Sequence, residues 1–174
     1  MQFNLQTAIP ILERTPDVVS ALLKDLHHDW INSNEGPDTW SPYDIVGHYI
    51  TGEKTDYMQR LNIILGDQSD KHFAPFDRFA QFRDSQGKSL DQLLDEFAML
   101  RKQNVDKLKT LTIDEDTLNK TGIHPAFGEV TLRQLLATWV VHDLNHIYQL
   151  SRVLSKQYMN EVGPWKQYLG VLNH

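Results

Sequence analysis

Apolar residues along this chain recur at intervals of three and four, the period that lines one face of a helix. Four segments sustain the pattern long enough to predict core helices. The first spans Pro16 to Trp30, with Val18, Val19, Leu22, Leu23, Leu26 and Trp30 as its stripe. Thr15 is placed to cap it, and Pro16 suits a first turn, where its missing N–H costs nothing. Ile9 to Arg14 reads as a short helical lead-in. The second begins at Ser41-Pro42, carries Asp44 where a carboxylate favours the helix dipole, and runs to Leu65 before Gly66. Its stripe is Val46, Ile50, Tyr57, Leu61 and Ile64. The third starts at Ser89, with Gln92 at capping-box spacing. It turns Leu90, Leu93, Leu94, Phe97, Leu100 and Leu108 inward and fades near Thr110. The fourth runs from Thr131, with Gln134 three residues on, to about Tyr158. Leu132, Leu135, Leu136, Trp139, Ile147, Leu150, Val153 and Leu154 share its face.

Two connections are longer than the few residues that usually join packed helices. Gly66 to Lys88 carries Phe73, Phe76, Phe79 and Phe82 at a spacing of three. It predicts a short helix and a lid over one end of the assembly. Leu111 to Val130 contains GIHPAFGEV, the signature of a hairpin or an extended strap, and its acidic run 113–116 reads as a helix start or turn. The expectation is an all-α protein: a four-helix bundle with long connections between helices 2 and 3 and between helices 3 and 4. At 174 residues, 1–174 makes one domain with a sound core.

Composition narrows the chemistry. The formal charge of −6, with no clustering of Lys and Arg, argues against nucleic acid as a partner. No run approaches a membrane span, and the first ten residues lack the basic and apolar regions of a signal peptide, so a cytoplasmic protein is expected. There is no cysteine. A metal would have to use His, Asp, Glu or water.

The histidines carry the strongest chemical signal. His142 and His146 lie four apart on the fourth helix, inside its apolar stripe with Asp143. Residues so spaced stack one turn apart, so both rings can reach one ion. His48, beside the stripe of the second helix, supplies a third imidazole from a distant part of the chain. Three neutral nitrogens leave positions open for water or substrate, the pattern of catalytic rather than structural sites. The ion would be a divalent transition metal, zinc or nickel first, with iron(II) or copper as alternatives. Asp143 could orient a ligand ring, bind the ion or move protons, which makes it the candidate catalytic residue. The competing reading is a set of core histidines hydrogen-bonded to neighbours. HDLNH is not the HExxH of zinc proteases, and Asp143-x-x-His146 is only half of a di-iron pair. His27 and His28 read as surface residues at the end of the first helix, and His72 and His124 as loop residues.

The blocks HPAFGEVTLRQLLATWVVHDLNHIYQL and TWSPYDIVGHYI resemble the DinB superfamily, which includes the YfiT-type metal hydrolases, and the similarity spans nearly the whole chain. The resemblance implies a four-helix bundle whose metal is held by three histidines. Residue by residue these fall on His48, His142 and His146. It also implies a homodimer, a pocket at the open metal positions and a small-molecule substrate. Relatives include transferases and isomerases that take a low-molecular-weight thiol co-substrate such as bacillithiol, mycothiol or glutathione, and others regarded as hydrolases. The expected function is therefore a metal-dependent enzyme, either a thiol S-transferase or a hydrolase. Two alternatives stand beside it: a non-catalytic stress-response protein that binds metal or small ligands, and a helical interaction module.

Overall fold

Ser41, Ser89 and Thr131 each form a reciprocal capping box with Asp44, Gln92 and Gln134, so three long helices begin where their start signals lie. The computed structural model describes residues 1–173. In chain order the elements are α1 (Leu5–Leu23), α2 (His28–Asn32), α3 (Pro42–Thr55), α4 (Tyr57–Leu65), α5 (Ala80–Asp84), α6 (Leu90–Lys109), α7 (Glu115–Leu118), β1 (Thr121–His124), β2 (Gly128–Thr131) and α8 (Leu132–Lys156). Short 3₁₀ turns follow at Gly163–Tyr168 and Gly170–Leu172. β1 and β2 pair antiparallel as a small hairpin. Among the described residues no helix is long and apolar enough to cross a membrane.

Two of the four predicted helices differ from expectation. α1 begins at Leu5, capped by the Asn4 side chain, and runs through both Pro10 and Pro16. Thr15 is no cap; its hydroxyl donates to the carbonyl of Ile11 within the helix. The helix ends at Leu23 because Asp25 takes a left-handed φ of 61°, and a separate short α2 starts after His27. The second predicted helix is interrupted at Asp56 (φ −117°, ψ −93°) into α3 and α4. Gly47 and Gly52 weaken this stretch, and the hydroxyls of Thr51 and Thr55 both donate to carbonyls four residues back, a habit that bends helices.

The core falls into two apolar clusters at different levels of the bundle. One gathers Leu12 of α1, Tyr57, Leu61 and Ile64 of α4, Val105 and Leu108 of α6, and Leu132, Leu136 and Trp139 of α8. The other gathers Val19 and Leu23, Ile45 to Ile50 of α3, Leu90 to Phe97, and Leu150 with Val153. Between them each long helix carries buried polar residues: Thr15 on α1, His48 and Glu53 on α3, Arg101 on α6, Asp143 and His146 on α8. The order in which each helix meets the two clusters gives its direction. α1 and α8 run one way, and α3–α4 and α6 run the other. α4 and α6 are thus parallel, so the chain from 66 to 89 must travel the length of the bundle before α6 can begin. That requirement accounts for a connection no tight turn could replace.

Phe73, Phe76, Phe79 and Phe82 do not act as a set. Phe73 is buried in the first cluster, Phe76 packs edge-to-face with His48, and Phe79 stacks on Phe82 in the open. α5 comes close to α3 at Gly47, where a Cβ would lie 2.4 Å from Ser85 Oγ and 3.0 Å from Gln81 Cβ.

Candidate metal centre

His48 stands midway along α3, and His142 and His146 face it from adjacent turns of α8. All three direct Nε2 to one point. His48 Nε2 and His146 Nε2 each lie 3.1 Å from His142 Nε2. Ligands at 2.0–2.1 Å from a shared ion sit about 3.0–3.4 Å apart, so this spacing suits one ion. His48 and His146 are almost wholly buried, while His142 keeps about a fifth of its side chain exposed. Burial, reinforced by the neighbouring imidazoles, drives the pKa of His48 down to about 2 and that of His146 to about 4. Both rings are therefore neutral near pH 7, and a proton on His142 Nε2, shared with its two neighbours, would leave Nδ1 of that ring and of His48 without partners. A cation at the shared point would instead serve all three Nε2 atoms at once.

The backs of the rings are held unequally. His146 Nδ1 lies 2.7 Å from Gln149 Oε1, so the proton sits on Nδ1 and leaves Nε2 free to coordinate. His142 Nδ1 lies 4.0 Å from Asp143 Oδ1, within reach of its charge but too far for a hydrogen bond. His48 Nδ1 is buried without a hydrogen-bond partner among the described residues. Trp40 lies tilted against His48 and parallel to His146, and with Phe76 it walls the centre from water.

Directly behind the histidines runs a buried ionic layer. Arg101 donates Nη1 and Nη2 to the two oxygens of Asp143 at 2.5 and 2.9 Å, and Nε to Glu53 Oε1 at 2.9 Å. Glu53 also accepts from Asn104 and from Trp139 Nε1. Arg101 Nη1 reaches the carbonyl of Leu12 as well, at 2.8 Å. That carbonyl would ordinarily bond the N–H of residue 16, which proline lacks. The guanidinium thus answers the acceptor that Pro16 leaves open and lets α1 run unbroken. Burial alone would raise the Asp143 carboxyl, but its His142 and Arg101 neighbours outweigh this and hold it below the ordinary range. Two carboxylates on one guanidinium leave one negative charge in excess, and that charge favours a cation at the imidazoles.

The other sequence candidates lie elsewhere. His27 and His28 are exposed beside Asp29, His72 pairs with Asp70, and His124 sits in β1, where its Nδ1 accepts the Ala126 and Phe127 N–H groups. Arg101, Glu53, Trp40 and Gln149 were not singled out from the sequence. For Arg101 and Glu53 the signal was present: each interrupts an apolar stripe, between Phe97 and Val105 and between Ile50 and Tyr57.

Openings flank the centre. On the His142 side an open apolar groove follows α8 past Ala137, Val141 and Asn145. Gln134 and Thr138 line both this groove and a more enclosed cavity of about 110 Å³ beneath the hairpin, walled by Tyr57, Phe73 and Phe127. On the His146 side a polar depression holds Trp40, Arg78 and Arg152.

A helical bundle with a buried imidazole cluster at mid-height is the class these features define. The sequence profile of the DinB superfamily matches residues 11–150, and the chain belongs to that superfamily. Among solved structures it is similar to YfiT from Bacillus subtilis, with a TM-score of 0.73 at 18% identity, over 87% of this chain and 86% of that one. YfiT is described as a probable metal-dependent hydrolase with an unusual four-helix bundle topology. Comparison with curated proteins gives no match.

Proposed function

We propose that the chain is a metal-dependent enzyme acting on a small molecule, with His48, His142 and His146 holding a divalent transition ion, zinc or nickel in first place. The observation that carries this reading is the convergence of three Nε2 atoms in a largely buried site that keeps two of the rings uncharged. The description of YfiT as a metal-dependent hydrolase supports it. The chemistry such an ion supplies is Lewis acidity, which lowers the pKa of a water or thiol presented to it.

The chain's own residues do the rest. Gln149 fixes the tautomer of His146. Asp143, pinned by Arg101, sets its negative charge 4.0 Å from His142 Nδ1, where it favours a cation held by that ring. Because both Asp143 oxygens are occupied by the guanidinium, its role is positioning rather than proton transfer. Trp40 and Phe76 keep water off the His48 flank, and the groove beside His142 admits substrate.

Metal content of tag-free protein, compared with His142→Ala, tests the site. The expected result is about one ion per wild-type chain, with little in the variant and the helical content unchanged. Equal metal in both would overturn the assignment. The zinc-loaded protein is then offered aryl esters without thiol, and monochlorobimane with glutathione or bacillithiol. Turnover of the first that His48→Ala abolishes identifies a hydrolase, and turnover of the second a thiol S-transferase. Rates equal to His48→Ala in both assays would leave a non-catalytic metal binder.

A further inference from the structure

The cavity beneath the hairpin contains a charged side chain that the fold does not fully use. Arg60, on α4, is only 9% exposed, yet neither Nη makes a hydrogen bond to any described residue. Its ionic partner is Asp56, met through Nε at 2.8 Å, and its face lies over the Phe73 ring. Its Nη atoms are not sealed in the core: they meet the solvent that fills the cavity, and a ligand anion could take that water's place. Here the open donors belong to a residue that lines a cavity. His124 lines the same cavity. Because its Nδ1 accepts two backbone N–H groups, its proton is on Nε2, which adds a neutral donor. The volume of about 110 Å³ is smaller than the roughly 150 Å³ of a cavity that takes benzene, so it suits a compact group rather than a ring. Gln134 and Thr138 continue the lining into the groove that reaches His142, one helical turn beyond Thr138.

We propose that Arg60 and His124 form an anion subsite for the substrate's carboxylate, so that the enzyme's substrates are small carboxylic acids whose carbon chain lies along α8 toward the histidine centre. This rests on the metal-enzyme reading for what happens at the far end of the substrate, but the binding of the acid does not depend on the ion. One guanidinium serving Asp56 and a substrate carboxylate repeats what Arg101 already does with Glu53 and Asp143. The open Nη donors supply the planar fork that a carboxylate accepts in bidentate fashion.

The test uses the full chain and the isosteric pair hexanoate and hexanamide, titrated by NMR into zinc-loaded and chelator-treated protein. Hexanoate is expected to bind at least tenfold more tightly than hexanamide in both forms, moving the Arg60 Nε–H and the Thr138 and Phe127 amides. Arg60→Gln alone leaves Asp56 buried and unpaired, so the informative variant is the neutral double exchange Asp56→Asn with Arg60→Gln, in which the preference should fall to about onefold. Equal binding of acid and amide by the wild type overturns the proposal. So does a preference that survives in the double variant, one seen only with zinc bound, or shifts confined to His146 and Arg78. Should the wild type hold no metal, the enzyme reading fails, while the chelator-treated titration still decides the subsite.

Discussion

Removing the charge of Asp143 and removing that of Arg101 should have opposite signatures, although the two residues touch. In the native layer one guanidinium serves two buried carboxylates. Arg101→Gln leaves Glu53 and Asp143 buried together with no cation, and breaking a buried pair in this way costs about 3–5 kcal/mol. The variant also removes the donor to the Leu12 carbonyl that Pro16 cannot serve. Against a typical total of about 5–15 kcal/mol, that brings the protein close to unfolding. Asp143→Asn leaves a balanced Glu53–Arg101 pair and forfeits only charge-assisted hydrogen bonding, about 1.5–3 kcal/mol. Its larger effect falls on the ion, because His142 loses the charge 4.0 Å from Nδ1; with no hydrogen bond to the ring this acts through space, so the loss of metal affinity should be about tenfold, the low end for groups behind a ligand histidine. Urea denaturation of chelator-treated protein measures the first quantity, and competition with a chromogenic zinc chelator the second. If Asp143→Asn is as unstable as Arg101→Gln, or binds zinc as tightly as wild type, the positioning role assigned to Asp143 is wrong.

Three further outcomes are expected. Because His48 and His146 have folded pKa values of about 2 and 4 against 6.5 unfolded, their contribution to stability is complete above pH 6.5 and declines as the pH falls below it. Metal-free protein should lose on the order of 2 kcal/mol per ring between pH 6.5 and 5 in denaturant titrations, and a flat profile would refute neutral burial. Gly47→Ala should lower the melting temperature, since its Cβ meets Ser85 Oγ at 2.4 Å. Gly52→Ala, whose Cβ meets only Tyr57 Cε2 at 3.7 Å, should raise stability by up to about 1 kcal/mol, and equal effects would mean that α5 does not press on α3. Gln149→Leu should weaken zinc binding by about tenfold in the chelator competition, with the melting temperature of metal-free protein little changed; unaltered affinity would show that the His146 tautomer needs no acceptor.

The long helices and their capped starts were legible because periodicity and capping are local properties, as at Ser89-Gln92 and Thr131-Gln134. The start of α1 was not. Thr15-Pro16 has the form of a helix beginning, and only a guanidinium from α6, eighty-five residues on, makes that proline tolerable mid-helix. The break at Asp56 was hidden for a related reason: the apolar stripe keeps its phase across the interruption. The convergence of His48 with His142 and His146 was anticipated from spacing and from family resemblance. The roles of Arg101 and Glu53 are not legible locally, because a charge within a stripe reads as an imperfection until its partners on other helices are known. The placement of Arg60 depends on a hairpin folding back over α4, which no local pattern encodes.

The bond from Arg101 to Leu12 has a mechanical corollary. One side chain fastens α1, α3 and α8 to α6 at the level of the imidazoles, so the gap between the rings is braced before anything enters it. A braced gap sorts its occupants by radius. Calcium, which needs six or more oxygens at about 2.3–2.6 Å, would have to pry apart helices that the guanidinium clamps, whereas a smaller, nitrogen-preferring ion can come and go with the backbone at rest.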